Sequence, residues 1–204
     1  MLIALNAAIF LYQVSLDSFS RNHFVMEYAM VPSRFEPSTL FTSMFLHGGW
    51  MHLIGNMWFL WIFGDNIEDI LGPGRYILFY LACGAAAAFT HLMFNSDSRV
   101  PTVGASGAIA GVMGGYIRKF PHSKIVTLIP ILIFFTTMEV PAYFMLGYWF
   151  LIQVWSGVGD SARSSVGEGG VAWWAHAGGF LAGVVLVDIL QKRERYSHRG
   201  DLRW

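Results

Sequence analysis

"PTVGASGAIAGVMGGY", residues 101–116, sets a serine between glycines at the head of an apolar run, with Gly107, Gly111 and Gly115 following at intervals of four. On a helix that spacing makes one stripe of bare backbone, along which a second helix can approach closely. A matching stripe lies near the C-terminal end, where His176, Gly179 and Gly183 share a face at i, i+3 and i+7. If the two stripes face each other, Ser106 meets His176.

Composition says where such packing takes place. Of 204 residues, 55% are hydrophobic and 13% charged, with 17 Phe and 8 Trp; an ordinary soluble domain carries about a quarter charged residues. The formal net charge is zero, so no basic field argues for nucleic acid as a partner. One cysteine, Cys83, excludes an intramolecular disulfide framework, and with no CxxC motif or Cys/His pair no metal site is expected.

Apolar runs of a length suited to a hydrocarbon core of roughly 30 Å recur at about 1–16, 50–70, 74–94, 103–117, 136–157 and 171–190. They predict an all-α bundle of six transmembrane helices in a single membrane domain over 1–204, with a polar tail at 191–204. The opening "MLIALNAAIFLYQV" lacks the basic n-region and cleavage site of a signal peptide, so it is expected to be a retained first span, its shortness pointing to a trimmed start. "KIVTLIPILIFFTTMEVPAYFMLGYWFLIQV" is too long for one span and is interrupted by Pro130, Glu139 and Pro141. Its first part is expected along the interface, with Glu139 capping or ordering the fifth span. Residues 17–49 form a long, amphipathic first loop, and "SGVGDSARSSVGEGG" a flexible cap.

Orientation follows from the basic residues between the runs. With the N-terminus cytoplasmic, inner segments hold nine Lys and Arg (Arg75, Arg118, Lys119, Lys124, Lys192, Arg193, Arg195, Arg199, Arg203) against four outside (Arg21, Arg34, Arg99, Arg163). Both termini are therefore expected in the cytoplasm.

Polar side chains within spans are costly and mark function. His52, Asn56, Ser106 and His176 each lie near the start of an even-numbered run, so in a six-span topology they share one depth below the outer surface. A serine hydroxyl becomes a nucleophile when a neutral imidazole takes its proton, and Ser106 with His176 makes such a dyad. The oxyanion of acyl transfer needs donors, and the Ser106 amide at a helix start, Asn56 and His52 can supply them. Gly104 and Gly107 allow close backbone geometry around the serine. The fourth run is shorter than the hydrocarbon core, so the preceding "NSDSRVPT" is expected to dip inward, where protein or water must satisfy its backbone.

Taken singly these signals are weak: G-x-S-G arises by chance in any Gly-rich helix, and a glycine stripe commonly serves packing alone. His47 and His52, at i and i+5, share no helix face and lack a third ligand, so His47 is expected to order its loop rather than bind metal or haem. His91 has no partner visible in the sequence. The shared depth of four residues from three runs carries the catalytic reading.

With those residues in hand the chain resembles the rhomboid intramembrane serine proteases in their six-span bacterial form. "LHGGWMHLIGNMWFLWIFGDNIEDILG" is similar to the family's second span with its H-x3-N signature, "GASG" to its nucleophile motif and "AHAGGFLAG" to its final histidine motif. The resemblance implies Ser106 as nucleophile, His176 as general base, and His52, Asn56 and the Ser106 amide as oxyanion hole. It implies single-span membrane-protein substrates cleaved near the outer face at small residues, no cofactor, a bacterial inner-membrane location, and access through movement of span five and the cap. A catalytically silent relative that chaperones client helices is the competing reading; such relatives typically lack the serine or the histidine, and this chain keeps both. A transporter would call for more charged residues in the spans or an internal repeat. Two departures stand out: "STLF" replaces a Trp-Arg pair in the first loop, and Ala110 stands where some members stack a tyrosine on the catalytic histidine, a task expected to pass to Trp173 or Trp174.

Overall fold

The computed structural model describes residues 1–131, 134–163 and 171–191. Its elements, in order, are α1 (Leu2–Ser15), α2 (Ser18–Tyr28), α3 (Thr39–Thr42), α4 (Trp50–Leu71), α5 (Pro73–Phe94), α6 (Ser106–Lys119), β1 (Lys124–Ile131), β2 (Phe134–Pro141), α7 (Ala142–Arg163) and α8 (Trp173–Leu190). The longer helices fall on the apolar runs. By length and composition α5 and α8 can each cross a membrane, and α1 is a shorter apolar helix. Residues 164–170 of the expected cap and 192–204 of the expected tail, with Lys192, Arg193, Arg195, Arg199 and Arg203, lie outside the described residues.

Local chemistry fixes the helix ends. Asp17 caps α2, its Oδ1 accepting from the amides of Phe19 and Ser20 at 2.9 and 3.2 Å; hydrogen bonding to the ionised form, first from the Ser20 side chain and then from these amides, holds its carboxyl below the usual range. Between α4 and α5 the chain turns at Gly72, whose φ of 75° suits glycine, and Pro73 opens the next helix.

The all-α expectation needs one correction. Lys124–Ile131 and Phe134–Pro141 pair as an antiparallel hairpin, Lys124 opposite Pro141 and Thr127 opposite Met138. The run is rich in Ile, Val, Thr and Phe, which suit a pleated ladder better than a helix. The helix expected over 136–157 is accordingly α7, which starts at Ala142 and ends at Arg163. Glu139 does not cap it: its Oε2 lies 2.7 Å from Lys124 Nζ across the hairpin. The helix on the fourth run, α6, begins at Ser106, three residues later than the run itself.

Helix α6 is the centre of the bundle, packed against α4, α5, α7 and α8 and buried at every residue from Gly107 to Tyr116. The closest approach is between α6 and α8, where a Cβ on Gly179 would overlap the Gly107 carbonyl oxygen and one on Gly183 that of Gly111. Such contact gathers dispersion energy over two helical turns, the main source of cohesion where lipid removes the hydrophobic drive between helices. Around this core the outward faces carry Trp58, Trp61, Phe89, Phe144, Trp155 and Leu181, all exposed on the protein surface. A continuous apolar exterior of that kind matches hydrocarbon rather than water. At the end of α6 away from Ser106, Arg118 and Lys119 pair with Asp188 of α8 at 2.8 and 2.6 Å.

Candidate active site

Ser106 is the first residue of α6, so its amide is among the first-turn N–H groups with no acceptor inside the helix. The chain reaches it through Gly104, whose φ of 127° is a conformation that L side chains rarely adopt. The approach is tied down on both sides. Thr102 and Met30 exchange backbone hydrogen bonds of 2.8 and 3.1 Å, and the Ser33 amide donates to the Ser98 carbonyl at 2.9 Å, so the segment before the serine is satisfied by the first loop. His91, without a visible partner in the sequence, joins this support: its Nε2 lies 3.1 Å from Thr102 Oγ1 and its Nδ1 3.4 Å from Asn95 Nδ2.

His176 sits on the first turn of α8, carried next to α6 by the facing glycines. Its Nε2 lies 2.9 Å from Ser106 Oγ. On its other side Nδ1 lies 2.8 Å from Oε1 of Gln153, a buried residue of α7. The Trp149 ring, one turn back on α7, tilts over the imidazole with centroids 5.7 Å apart. Contact with the histidine thus comes from Trp149 and Gln153, whereas Trp174 stacks on Phe94 at 4.0 Å. Gln153 is not among the residues that the sequence singles out, although the rule that flags polar side chains in apolar helices applies to it equally.

His52 and Asn56 lie one turn apart on α4 and both look toward Gly104. A Cβ on that glycine would stand 2.8 Å from His52 Nε2 and 3.6 Å from Asn56 Nδ2. The Gly48 amide donates a long hydrogen bond, 3.4 Å, to His52 Nδ1. An accepting Nδ1 leaves the hydrogen of the neutral ring on Nε2, the nitrogen nearer the serine loop. Asn56 is buried, and its Nδ2 has no hydrogen-bond partner among the described residues. A buried donor left unpaired is expensive, and reaction sites are where that expense is met.

His47 is fully buried, its ring edge-on to those of Phe10 and His52. Gln13 of α1 clasps its backbone twice, Nε2 donating to the carbonyl at 2.7 Å and Oε1 accepting from the amide at 3.3 Å. The bonds are to the His47 backbone; its ring nitrogens are buried and have no hydrogen-bond partner among the described residues. Beside Ser106 is a cavity of about 30 Å³ lined by Ser43, Gly84, Ala87, Thr102, Gly104 and Ala108 among others. No group of three His, Cys, Asp or Glu able to hold a metal occurs among the described residues.

The arrangement joins a hydroxyl to an imidazole nitrogen, with three potential donors around the loop that carries the hydroxyl. Fold and site together define a helical membrane protein with a serine and a histidine set between two closely packed helices. Comparison with known proteins gives the family: a model described as Rhomboid domain matches residues 34–193, more than half of the chain. Rhomboid protein 1, mitochondrial, of Saccharomyces cerevisiae is 30% identical over 216 residues, which take in 100% of this chain and 57% of the relative. Presenilin-associated rhomboid-like protein A, mitochondrial, of Danio rerio is 29% identical over 74% of this chain and 38% of its own length. Rhomboid protease GluP of Bacillus subtilis is 40% identical over 78 residues, 38% of this chain and 15% of that protein. The chain thus spans little more than half the length of the yeast relative and less of the other two. It belongs to the rhomboid family.

Proposed function

We propose that this chain is an intramembrane serine endopeptidase working through Ser106 and His176, with Asn56, His52 and the Ser106 amide as oxyanion donors. The observation that carries the reading is the 2.9 Å separation of Ser106 Oγ and His176 Nε2. In the proposed reaction Oγ attacks the scissile carbonyl as its proton passes to Nε2. The carbonyl oxygen, now anionic, takes hydrogen bonds from the donors. The imidazolium then protonates the leaving amine nitrogen, the C–N bond breaks, and an ester to Ser106 remains. Water gives a proton to Nε2 as it attacks the ester carbonyl; the C–Oγ bond then breaks, Nε2 returns the proton to Oγ, and the acid and the free serine are released. The small lining of the adjoining cavity admits a substrate methyl group or, after the leaving half has departed, a water.

The substrates we propose are single-span membrane proteins. The helices α1, α4, α5, α6, α7 and α8 are taken as six spans, with α6 the short one at 14 residues, roughly 21 Å. Both termini are proposed to lie on the cytoplasmic side, a reading supported by Arg118 and Lys119 at the far end of α6 from Ser106. The named relatives are mitochondrial and bacterial, and of these homes a bacterial inner membrane is the one proposed. The test is co-expression with a reporter carrying one cleavable span: Ser106→Ala and His176→Ala should each abolish cleavage while the protein accumulates normally. Undiminished turnover by either variant refutes the assignment.

A further inference from the structure

Gln153 is a buried polar side chain on a helix that otherwise presents Trp149, Phe150, Val154 and Trp155. Such a group is retained in an apolar span when its hydrogen bonds do something. Both ends of its amide are engaged. Nε2 donates to the Trp149 carbonyl at 3.2 Å, and Oε1 faces His176 Nδ1 at 2.8 Å.

The first bond decides the meaning of the second. Rotating the amide by half a turn would set Oε1 against the Trp149 carbonyl, two acceptors in contact, and turn the NH₂ toward the imidazole. The Trp149 carbonyl therefore selects the orientation in which an oxygen meets Nδ1. An oxygen there requires the ring hydrogen on Nδ1, which leaves the lone pair on Nε2, the nitrogen 2.9 Å from Ser106 Oγ. A base with its hydrogen on the wrong nitrogen cannot accept the serine proton, and a tautomer error of that kind costs a serine protease about 10⁴ in kcat.

We infer that Gln153 is a positioning residue, a neutral third member of the Ser106–His176 relay, which holds the imidazole in its Nδ1–H tautomer from a different helix. The inference rests on the proposed serine chemistry. It makes the relay a three-helix assembly: α6 brings the hydroxyl, α8 the imidazole and α7 the group that orients it. Docking of α7 against α8 becomes a condition for turnover.

The test compares Gln153→Met and Gln153→Glu, which keep the length of the side chain. Methionine suits a buried apolar position but offers no carbonyl to Nδ1; glutamate offers an acceptor and burdens the span with an acid. Cleavage of a detergent-solubilised reporter span is followed to give kcat and KM, each variant at the optimum of its own pH profile. The expected result is kcat lower by roughly 10- to 1,000-fold in Gln153→Met with KM within about twofold, and rescue by Gln153→Glu to within about tenfold of wild type. A packing role gives the reverse order, methionine above glutamate, and that order overturns the inference. Should Gln153→Glu fail to fold, Gln153→Met decides alone: kcat at the wild-type level overturns it. Ser106→Ala run alongside separates the two levels, since cleavage by that variant refutes the serine chemistry itself. Wild-type kcat in Gln153→Met beside a silent Ser106→Ala removes only Gln153.

Discussion

Replacing Gly183 by alanine tests whether helix spacing sets the reaction geometry. The added methyl would overlap the Gly111 carbonyl oxygen and stand 2.7 Å from Gly111 Cα, where carbon atoms rest at about 3.5 Å or more. The obstacle is backbone, which cannot swing aside as a side chain can, so α8 must move off α6 by roughly 1 Å or more. His176 lies two turns up the same helix. A rigid displacement of that size takes the 2.9 Å contact with Ser106 Oγ to about 4 Å, beyond hydrogen-bond range. A misplacement of about 1 Å at a reacting group costs on the order of 100-fold in rate, so kcat for a reporter span should fall by about that factor, with KM little changed. Stability should fall too, because the best-packed interface in the bundle is opened. The assay pairs reporter cleavage with thermal unfolding in detergent. A folded Gly183→Ala protein with kcat within twofold of wild type would refute the claim that the glycine stripes hold the pair in register.

Three further predictions concern the groups around the serine. Asn56→Ala should lower kcat by on the order of 10- to 1,000-fold while leaving thermal stability unchanged or raised, since it removes a buried donor that has no partner among the described residues; unchanged kcat would remove Asn56 from the oxyanion site. Gly104→Ala should cost about 1 to 3 kcal/mol of backbone strain and push a methyl to within 2.7 Å of the His52 ring, read as a lower melting temperature together with a fall in kcat. Gln13→Leu removes both bonds to the His47 backbone and should destabilise by about 2 kcal/mol, visible in a denaturation midpoint, with a smaller effect on kcat than Asn56→Ala.

Much of this site was legible before any coordinates because the membrane makes polar residues conspicuous. His52, Asn56, Ser106 and His176 stand out against apolar runs, and two glycine stripes say which helices touch. Gln153 obeys the same rule but is less conspicuous, since it lies in the long apolar segment interrupted by Pro130, Glu139 and Pro141, where the sequence does not fix the bounds of a helix. That segment also hid the hairpin: a short run of Ile, Val, Leu, Phe and Thr is equally apolar as strand or buried helix, and periodicity does not separate them. The start of α6 moved from 103 to 106 because hydropathy is blind to φ, and the positive value at Gly104 keeps that residue out of the helix. The sequence points to Trp173 and Trp174, neighbours of His176 along the chain, for the ring over the imidazole; Trp149 supplies it from another helix, a relation that one chain read linearly does not contain.

The central claim is that Ser106 is a nucleophile activated by His176. The most direct test is to treat the purified, folded protein with a fluorophosphonate and map the modified peptide by mass spectrometry. Covalent modification at Ser106, lost in His176→Ala, is the predicted result. A folded protein that stays unmodified, or is modified elsewhere with Ser106 intact, contradicts it.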